Sequence, residues 1–506
     1  MTDTVRSVFS FSDQRRAGVL LHPTSLPGPL AKGDLGHQAY RFIEFLASCS
    51  ITVWQMLPLG PTHEDDSPYQ CLSAHAGNPQ LISLDWLADK GWFDANEIDI
   101  DMKLKDYRSE ALVRASTHFY AQNDQFWLQK LEAFKEEHAY WLHDYVLFIA
   151  LKQHFGNAPW YQWPHDFRDK DPVALEKVRL KLSSLIAHIE FEQFVFFQQW
   201  QELREYAHRY GISLFGDMPI FIAHDSADLW SHRENFLIND LVELDVVAGV
   251  PPDCFSEDGQ RWGNPLYDWS YMLKDDFQWW KQRFRTQLSM FDLVRIDHFR
   301  GLEACWQIPA MEETAVNGSW IKVPGYELLS ALVDSYGELP VVAEDLGMIT
   351  KEVIDLRKSF HLPGMKILQF AFDGNPTNPY LPHNHDACSV IYTGTHDNDT
   401  TCGWYQALEP SYREQLLDYL GVDAINEDDI AWVMNRVALA SVAPLVILPL
   451  QDILSLGSDH RMNIPGTVEN NWQWRFEWQQ IKPGLNDRLS HMINLYERNV
   501  GVCINE

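Results

Sequence analysis

Little in this chain would support chemistry by cysteine, metal or phosphate binding. Its seven cysteines stand apart at 49, 71, 254, 305, 388, 402 and 503. There is no CxxC pair and no Cys–His spacing of a metal site, so free buried thiols in a reducing, cytoplasmic setting are expected. Basic residues are few: 40 Lys and Arg against 71 Asp and Glu leave a net charge of −31. Nucleic acid and anionic membranes both need a basic footprint, so neither is expected as a partner. The most apolar late stretch, Val437–Leu450, is too short to span a bilayer and is broken by Pro444 and Pro449. The N-terminal stretch MTDTVRSVFSFSDQRR has no apolar core of a secretory signal. Serine-nucleophile elbow, P-loop, dinucleotide fingerprint, fixed-period repeat and low-complexity tail are all missing. No metal and no cofactor is expected.

What is present is a set of short apolar runs that end in charge. FDLVRIDHFRG (Phe291–Gly301), VVAEDLG (Val341–Gly347) and VIYTGTHDND (Val390–Asp399) each read as a buried strand closed by a carboxylate. Strand candidates fall at Ala17–Leu21, Thr52–Met56, Ser213–Phe215, Leu293–Ile296, Val341–Ala343, Lys366–Phe370, Val390–Tyr392 and Leu445–Leu448. Helical patterns lie between most of them. The clearest is Phe191–Tyr210, followed by Gly211 in the position of a C-terminal cap. This βα rhythm predicts an α/β fold, a (β/α)8 TIM barrel, with residues 1–506 forming one catalytic domain. A minimal barrel needs about 250 residues, so much of the chain decorates it. An inserted, largely helical subdomain is expected over 60–190, Trp-rich through His75–Glu190. A second insertion is expected over 221–290, both on the catalytic face. The second carries Pro251–Trp269, an aperiodic loop holding Trp262, Tyr267 and Trp269, which reads as substrate-facing.

Asp297, Glu344 and Asp397 are the candidate catalytic groups. A retaining glycosidase needs an ionised nucleophile and a protonated acid facing each other across the anomeric carbon. Arg295 lies two residues before Asp297, on the same strand face, where a guanidinium favours a charged carboxylate. Glu344 follows Val341, Val342 and Ala343, an apolar approach that favours a protonated acid. Asp397 follows Thr395 and His396, both suited to bonding sugar hydroxyls. A lone Asp after a strand is often only a helix cap, which Asp217, Asp345 and Asp399 could each be. Tryptophan, at 20 of 506 residues, suits the flat CH faces of sugars, although most of these rings serve packing.

DLVRIDHFRG, VVAEDLG and TGTHDNDT resemble the catalytic motifs of the amylomaltases, 4-α-glucanotransferases (disproportionating enzymes) of the α-amylase superfamily. Further similarity runs through Leu20–Pro29, Ser67–Pro79, Gly216–Trp230, Asp258–Trp269, RMNIPGT and NNWQWR. The resemblance implies a barrel without a C-terminal β-sandwich. It implies Asp297 as nucleophile, Glu344 as acid/base and Asp397 as transition-state stabiliser. Tyr69, Asp217, Arg295 and His396 would line the sugar at the cleaved bond. Ser67, Gln260, Trp262, Asp345 and Asn463 would contact neighbouring glucose units. Donors would be maltooligosaccharides or starch- or glycogen-derived glucans, with glucose among the acceptors. An α-1,4-glucan hydrolase would share all three carboxylates. A metal-dependent barrel hydrolase built on His22, Asp217, His298 and His396, and a non-catalytic glycan-binding barrel, are more distant readings.

Overall fold

The computed structural model describes residues 14–97, 104–252, 256–427, 429–467 and 469–499. The N-terminal stretch, Cys254 and Cys503 lie outside the described residues. Twelve strands occur among the described residues: β1 (Arg16–Leu20), β2 (Val53–Gln55), β3 (Ser213–Met218), β4 (Val246–Val250), β5 (Gln260–Arg261), β6 (Leu293–Ile296), β7 (Ala304–Pro309), β8 (Ser319–Lys322), β9 (Val341–Ala343), β10 (Gly364–Ile367), β11 (Ser389–Tyr392) and β12 (Leu445–Pro449). Eight are parallel neighbours in the order β10-β11-β12-β1-β2-β3-β6-β9. Their side chains alternate between two apolar environments, as strand periodicity requires. Leu20, Val53, Phe215, Leu293, Val342, Ile367, Val390 and Ile447 fill the lumen. Val19, Trp54, Leu214, Val294, Ile391 and Val446 face the outer helices.

The seam between β9 and β10 closes by another means. The Ala343 amide donates to the Pro363 carbonyl at 2.9 Å. The next bond comes from a side chain: the Met365 amide donates to Asp345 Oδ1 at 2.7 Å. Arg357 Nε lies 3.2 Å from the other oxygen of that carboxylate. Asp345 thus replaces a missing strand bond. Gly364 lets it come close, since a Cβ there would fall 2.4 Å from Asp345 Oδ2. The same glycine displaces the expected strand at Lys366–Phe370. Pairing begins at Gly364, which a search for apolar runs passes over, and Leu368–Phe370 turns into a 3-10 helix.

Between β2 and β3 the described chain is mostly helical. Its longest helix, Ser183–Arg209, continues through residue 190 and ends before Gly211, whose φ of 70° is left-handed. Two buried glutamines on it grip the chain that carries Tyr69. Gln193 exchanges two bonds of 2.9 Å with the backbone of Gly77. Gln199 does the same with Ser83, at 2.8 and 3.1 Å. Around β6 the structure adds an antiparallel sheet, β5-β4-β7-β8, where the sequence reading placed no strand. Its strands flank β6 in sequence, so it draws on residues inside the 221–290 segment and beyond it. Apart from β4 (VVAGV), they are partly exposed and lack the uninterrupted apolar runs of the barrel.

Replacing Asp345 by Ala would leave the Met365 amide without its acceptor and Arg357 without its buried ion-pair partner. The expected cost is about 3 kcal/mol of folding stability, read as a lowered denaturation midpoint. An unchanged midpoint would show that the seam does not depend on this carboxylate.

Candidate active site

The nominated side chains converge where the barrel strands end. Asp217 on β3 and Arg295 on β6 are register partners. Arg295 Nη1 donates to Asp217 Oδ2 at 2.6 Å, and Nη2 donates to Asp297 Oδ1 at 2.8 Å. The Tyr69 hydroxyl donates to the same Asp217 oxygen at 2.7 Å. Asp217 Oδ1 is buried with no protein partner. Burial opposes charge on Arg295, yet the two carboxylates outweigh it and hold its pKa above the ordinary value. Burial pushes Asp217 up, against the pull of Arg295.

Glu344 follows β9 and is buried. The His298 amide donates to its Oε2 at 2.6 Å, and the Leu346 amide donates to Oε1 at 3.0 Å. His298 reaches this carboxylate through a left-handed backbone, φ 52° and ψ 48°. Burial raises the Glu344 pKa, Arg295 lowers it and nearby Asp297 raises it again, for a result of about 7. Asp397 behaves oppositely. Its side chain is 47% exposed, with His396 Nε2 3.3 Å from its Oδ2. Asn463 Nδ2 donates to its Oδ1 at 2.6 Å. Desolvation would raise its pKa, but His396, Asn463 and Arg295 together take it well below the usual carboxylate range.

Aromatic rings join these groups. Tyr69 stacks on His396 with centroids 5.2 Å apart, and Trp472 lies 6.0 Å from each. Trp262 stands edge-on to His298 at 4.8 Å, and its indole N–H donates to Gln260 Oε1 at 3.0 Å. The Tyr69 amide donates to Ser67 Oγ at 3.4 Å. Asp345 stays apart from this constellation: its side chain is 4% exposed and committed to the barrel seam. The sequence reading missed the amides of His298 and Leu346 that hold Glu344. A left-handed histidine leaves no compositional trace. Trp472 was within reach, since NNWQWR was already singled out. Among the described residues no group of three or more His, Cys, Asp or Glu side chains could hold a metal ion.

Such strand ends, carrying a guanidinium-linked carboxylate, a carboxyl with a raised pKa and a third one depressed, define a barrel enzyme of carboxylate chemistry. Residues 21–480 match the family described as 4-alpha-glucanotransferase (Glyco_hydro_77). The chain is similar to the 4-alpha-glucanotransferase of Synechocystis sp., 46% identical over 502 residues, covering 96% of this chain and 99% of that protein. It is equally similar to the 4-alpha-glucanotransferase of Thermus thermophilus, 46% identical over 496 residues with coverage of 96% and 99%. Among solved structures it superposes on the amylomaltase of Streptococcus agalactiae in complex with acarbose. That match has a TM-score of 0.92, 36% identity, and covers 96% of this chain and all of that one. The chain belongs to the 4-alpha-glucanotransferase family.

The raised value makes Glu344 directly testable. Its carboxyl should be protonated below about 7 and ionised above, as read by difference infrared spectroscopy of wild type against Glu344→Gln. An Asp297→Asn background removes the neighbouring charge that favours the protonated form, so the midpoint should move down. A midpoint near 4.5 in the wild type would contradict the environment described.

Proposed function

We propose that this enzyme transfers α-1,4-glucan segments from a donor maltooligosaccharide to the 4-hydroxyl of an acceptor glucan or glucose, by a retaining double displacement. Starch- and glycogen-derived chains would serve as donors too. Transfer is supported by membership of the 4-alpha-glucanotransferase family, and the observation that carries the double displacement is the contrast between Asp297 and Glu344. One is bonded to a guanidinium and the other is buried with a pKa of about 7, as a nucleophile and an acid/base must differ. In the first step Asp297 attacks the anomeric carbon while Glu344 protonates the departing glycosidic oxygen, leaving a β-glucosyl ester. In the second, Glu344 takes the proton of the acceptor 4-hydroxyl, whose oxygen attacks the anomeric carbon as its bond to Asp297 breaks and the carboxylate is freed. Asp397, with its depressed pKa, would stabilise the positive charge that develops at the anomeric centre in the transition state of each step.

Tyr69, Asp217, Arg295 and His396 would hold the glucose at the cleaved bond, with the unpartnered Asp217 Oδ1 free for a sugar hydroxyl. Ser67, Gln260, Trp262 and Asn463 would contact adjoining units. The contact expected of Asp345 is left out, because its carboxylate is engaged in the seam. The 60–190 and 221–290 insertions would wall the cleft, and Pro251–Trp269 would guide the glucan over it. No step calls on a metal or a cofactor. A cytoplasmic setting suits Cys49, Cys71, Cys305 and Cys388, which are free thiols. No helix among the described residues is long and apolar enough to cross a membrane.

The product profile from maltotriose tests the function. Transfer gives a ladder of longer maltooligosaccharides plus glucose while total reducing ends stay nearly constant, because each bond broken is one bond made. Reducing ends that rise in step with substrate consumed would make the enzyme a hydrolase. Separately, Asp297→Asn should fold normally and lose nearly all activity. Retention of more than about a tenth of the wild-type rate would remove the nucleophile assignment.

A further inference from the structure

Asp397 is the most exposed of the three carboxylates. It lies past β11 and its side chain is 47% exposed. Besides His396, what fixes it comes from a distant part of the chain, 458–463. Arg461 Nη2 donates to the Asp397 backbone carbonyl at 3.0 Å, and Nε donates to the Asn463 carbonyl at 3.2 Å. Its Nη1 lies 3.9 Å from Asp399 Oδ2. Asp399 is itself anchored: Ser458 Oγ donates to its Oδ2 at 2.8 Å, and Gln369 Nε2 donates to its carbonyl at 2.9 Å. One planar guanidinium therefore touches the backbone beneath Asp397, the backbone beneath Asn463 and the carboxylate between them.

We propose that Arg461 is a positioning residue for the transfer reaction, a fork that sets Asp397 against Asn463 and so aims the Asp397 carboxylate. The inference rests on Asp397 being the group that stabilises the transition state. Arg461 binds carbonyl oxygens and leaves the Asp397 carboxylate to Asn463 and His396. It therefore orients that charge without neutralising it by a direct bond. Lysine would not replace it. An ammonium is a point charge on a flexible stem and cannot span two carbonyls and a carboxylate in one plane. Misplacing a charge that acts only in the transition state lowers kcat and leaves ground-state binding nearly intact.

The test is steady-state disproportionation of maltotriose by Arg461→Ala and Arg461→Lys, with thermal midpoints measured alongside. Arg461→Ala should lose at least about tenfold in kcat with KM within about twofold of wild type. Millimolar guanidinium should restore part of that loss in Arg461→Ala and nothing in wild type. Arg461→Lys should keep most of the defect. A kcat for Arg461→Ala within about twofold of wild type overturns the proposal. So does a loss that tracks a lowered midpoint and shows no guanidinium recovery. If Arg461→Ala does not fold, Arg461→Lys decides, and full activity there overturns it. Asp397→Asn separates the two levels. If that variant is active, the role of Asp397 fails; if it is inactive while Arg461→Ala matches wild type, only the positioning role fails.

Discussion

A buried guanidinium between two carboxylates is the interaction on which this site depends. Arg295 joins Asp217 on one strand to Asp297 at the end of its own, and Tyr69 closes the group from above. Burying three charged groups is costly, and the geometry must compensate. Both Nη atoms of Arg295 meet a carboxylate at normal hydrogen-bond length. Removing one partner from such a buried group typically costs about 3–5 kcal/mol. The arrangement is therefore tied to the pairing of β3 with β6, where Asp217 and Arg295 are register partners. A one-residue slip of either strand would turn one of them out of the lumen. Barrel closure and the placement of the reacting groups are thus one requirement.

Two opposite electrostatic environments hang from that centre. Glu344 is buried, meets only two backbone amides and faces a neighbouring carboxylate, so its proton is retained to about 7. Asp397 is more open and has a histidine and an amide against its oxygens, so its proton is lost far more readily. Two carboxyls that follow different barrel strands, β9 and β11, can then serve as proton carrier and as fixed negative charge at the same pH. Asp217, also buried, is raised by that burial as well, against the pull of Arg295.

The sequence showed the parts of this that are local. Asp297, Glu344 and Asp397 each follow a β-branched run, and strand alternation alone puts Arg295 beside Asp297. Eight barrel strands could be placed because buried parallel strands are continuous apolar runs. What stayed hidden depends on distant pairing. The β5-β4-β7-β8 sheet joins one apolar run, β4 (VVAGV), to partly exposed strands on both sides of β6, and nothing local marks them as partners. Asp345 was expected to touch sugar only through the family resemblance, and its place after a strand also suited a helix cap. The alternation that points Glu344 into the site turns its neighbour to the wall, where Met365 and Arg357 await it. The left-handed turn at His298 that brings an amide to Glu344 is a tertiary outcome as well.

The preference for an acceptor sugar over water follows from how firmly the cleft walls are set. Tyr69 projects from a segment whose downstream end is gripped at Gly77 and Ser83 by buried glutamines of a long helix. Trp262 is fixed from the other side, its amide donating to the Ala248 carbonyl at 3.1 Å and its indole bonded to Gln260. Rings held by the backbone of the fold lose little entropy when a glucan stacks on them. An acceptor so held meets the glucosyl-enzyme already oriented, and orientation of this kind can be worth several orders of magnitude in effective concentration. Water gains nothing from a stacking surface. On this argument transfer would outrun hydrolysis because the rings beside the carboxylates are anchored by distant parts of the fold. That explains how enzymes sharing all three carboxylates can still differ in whether they move a glucan or cut it.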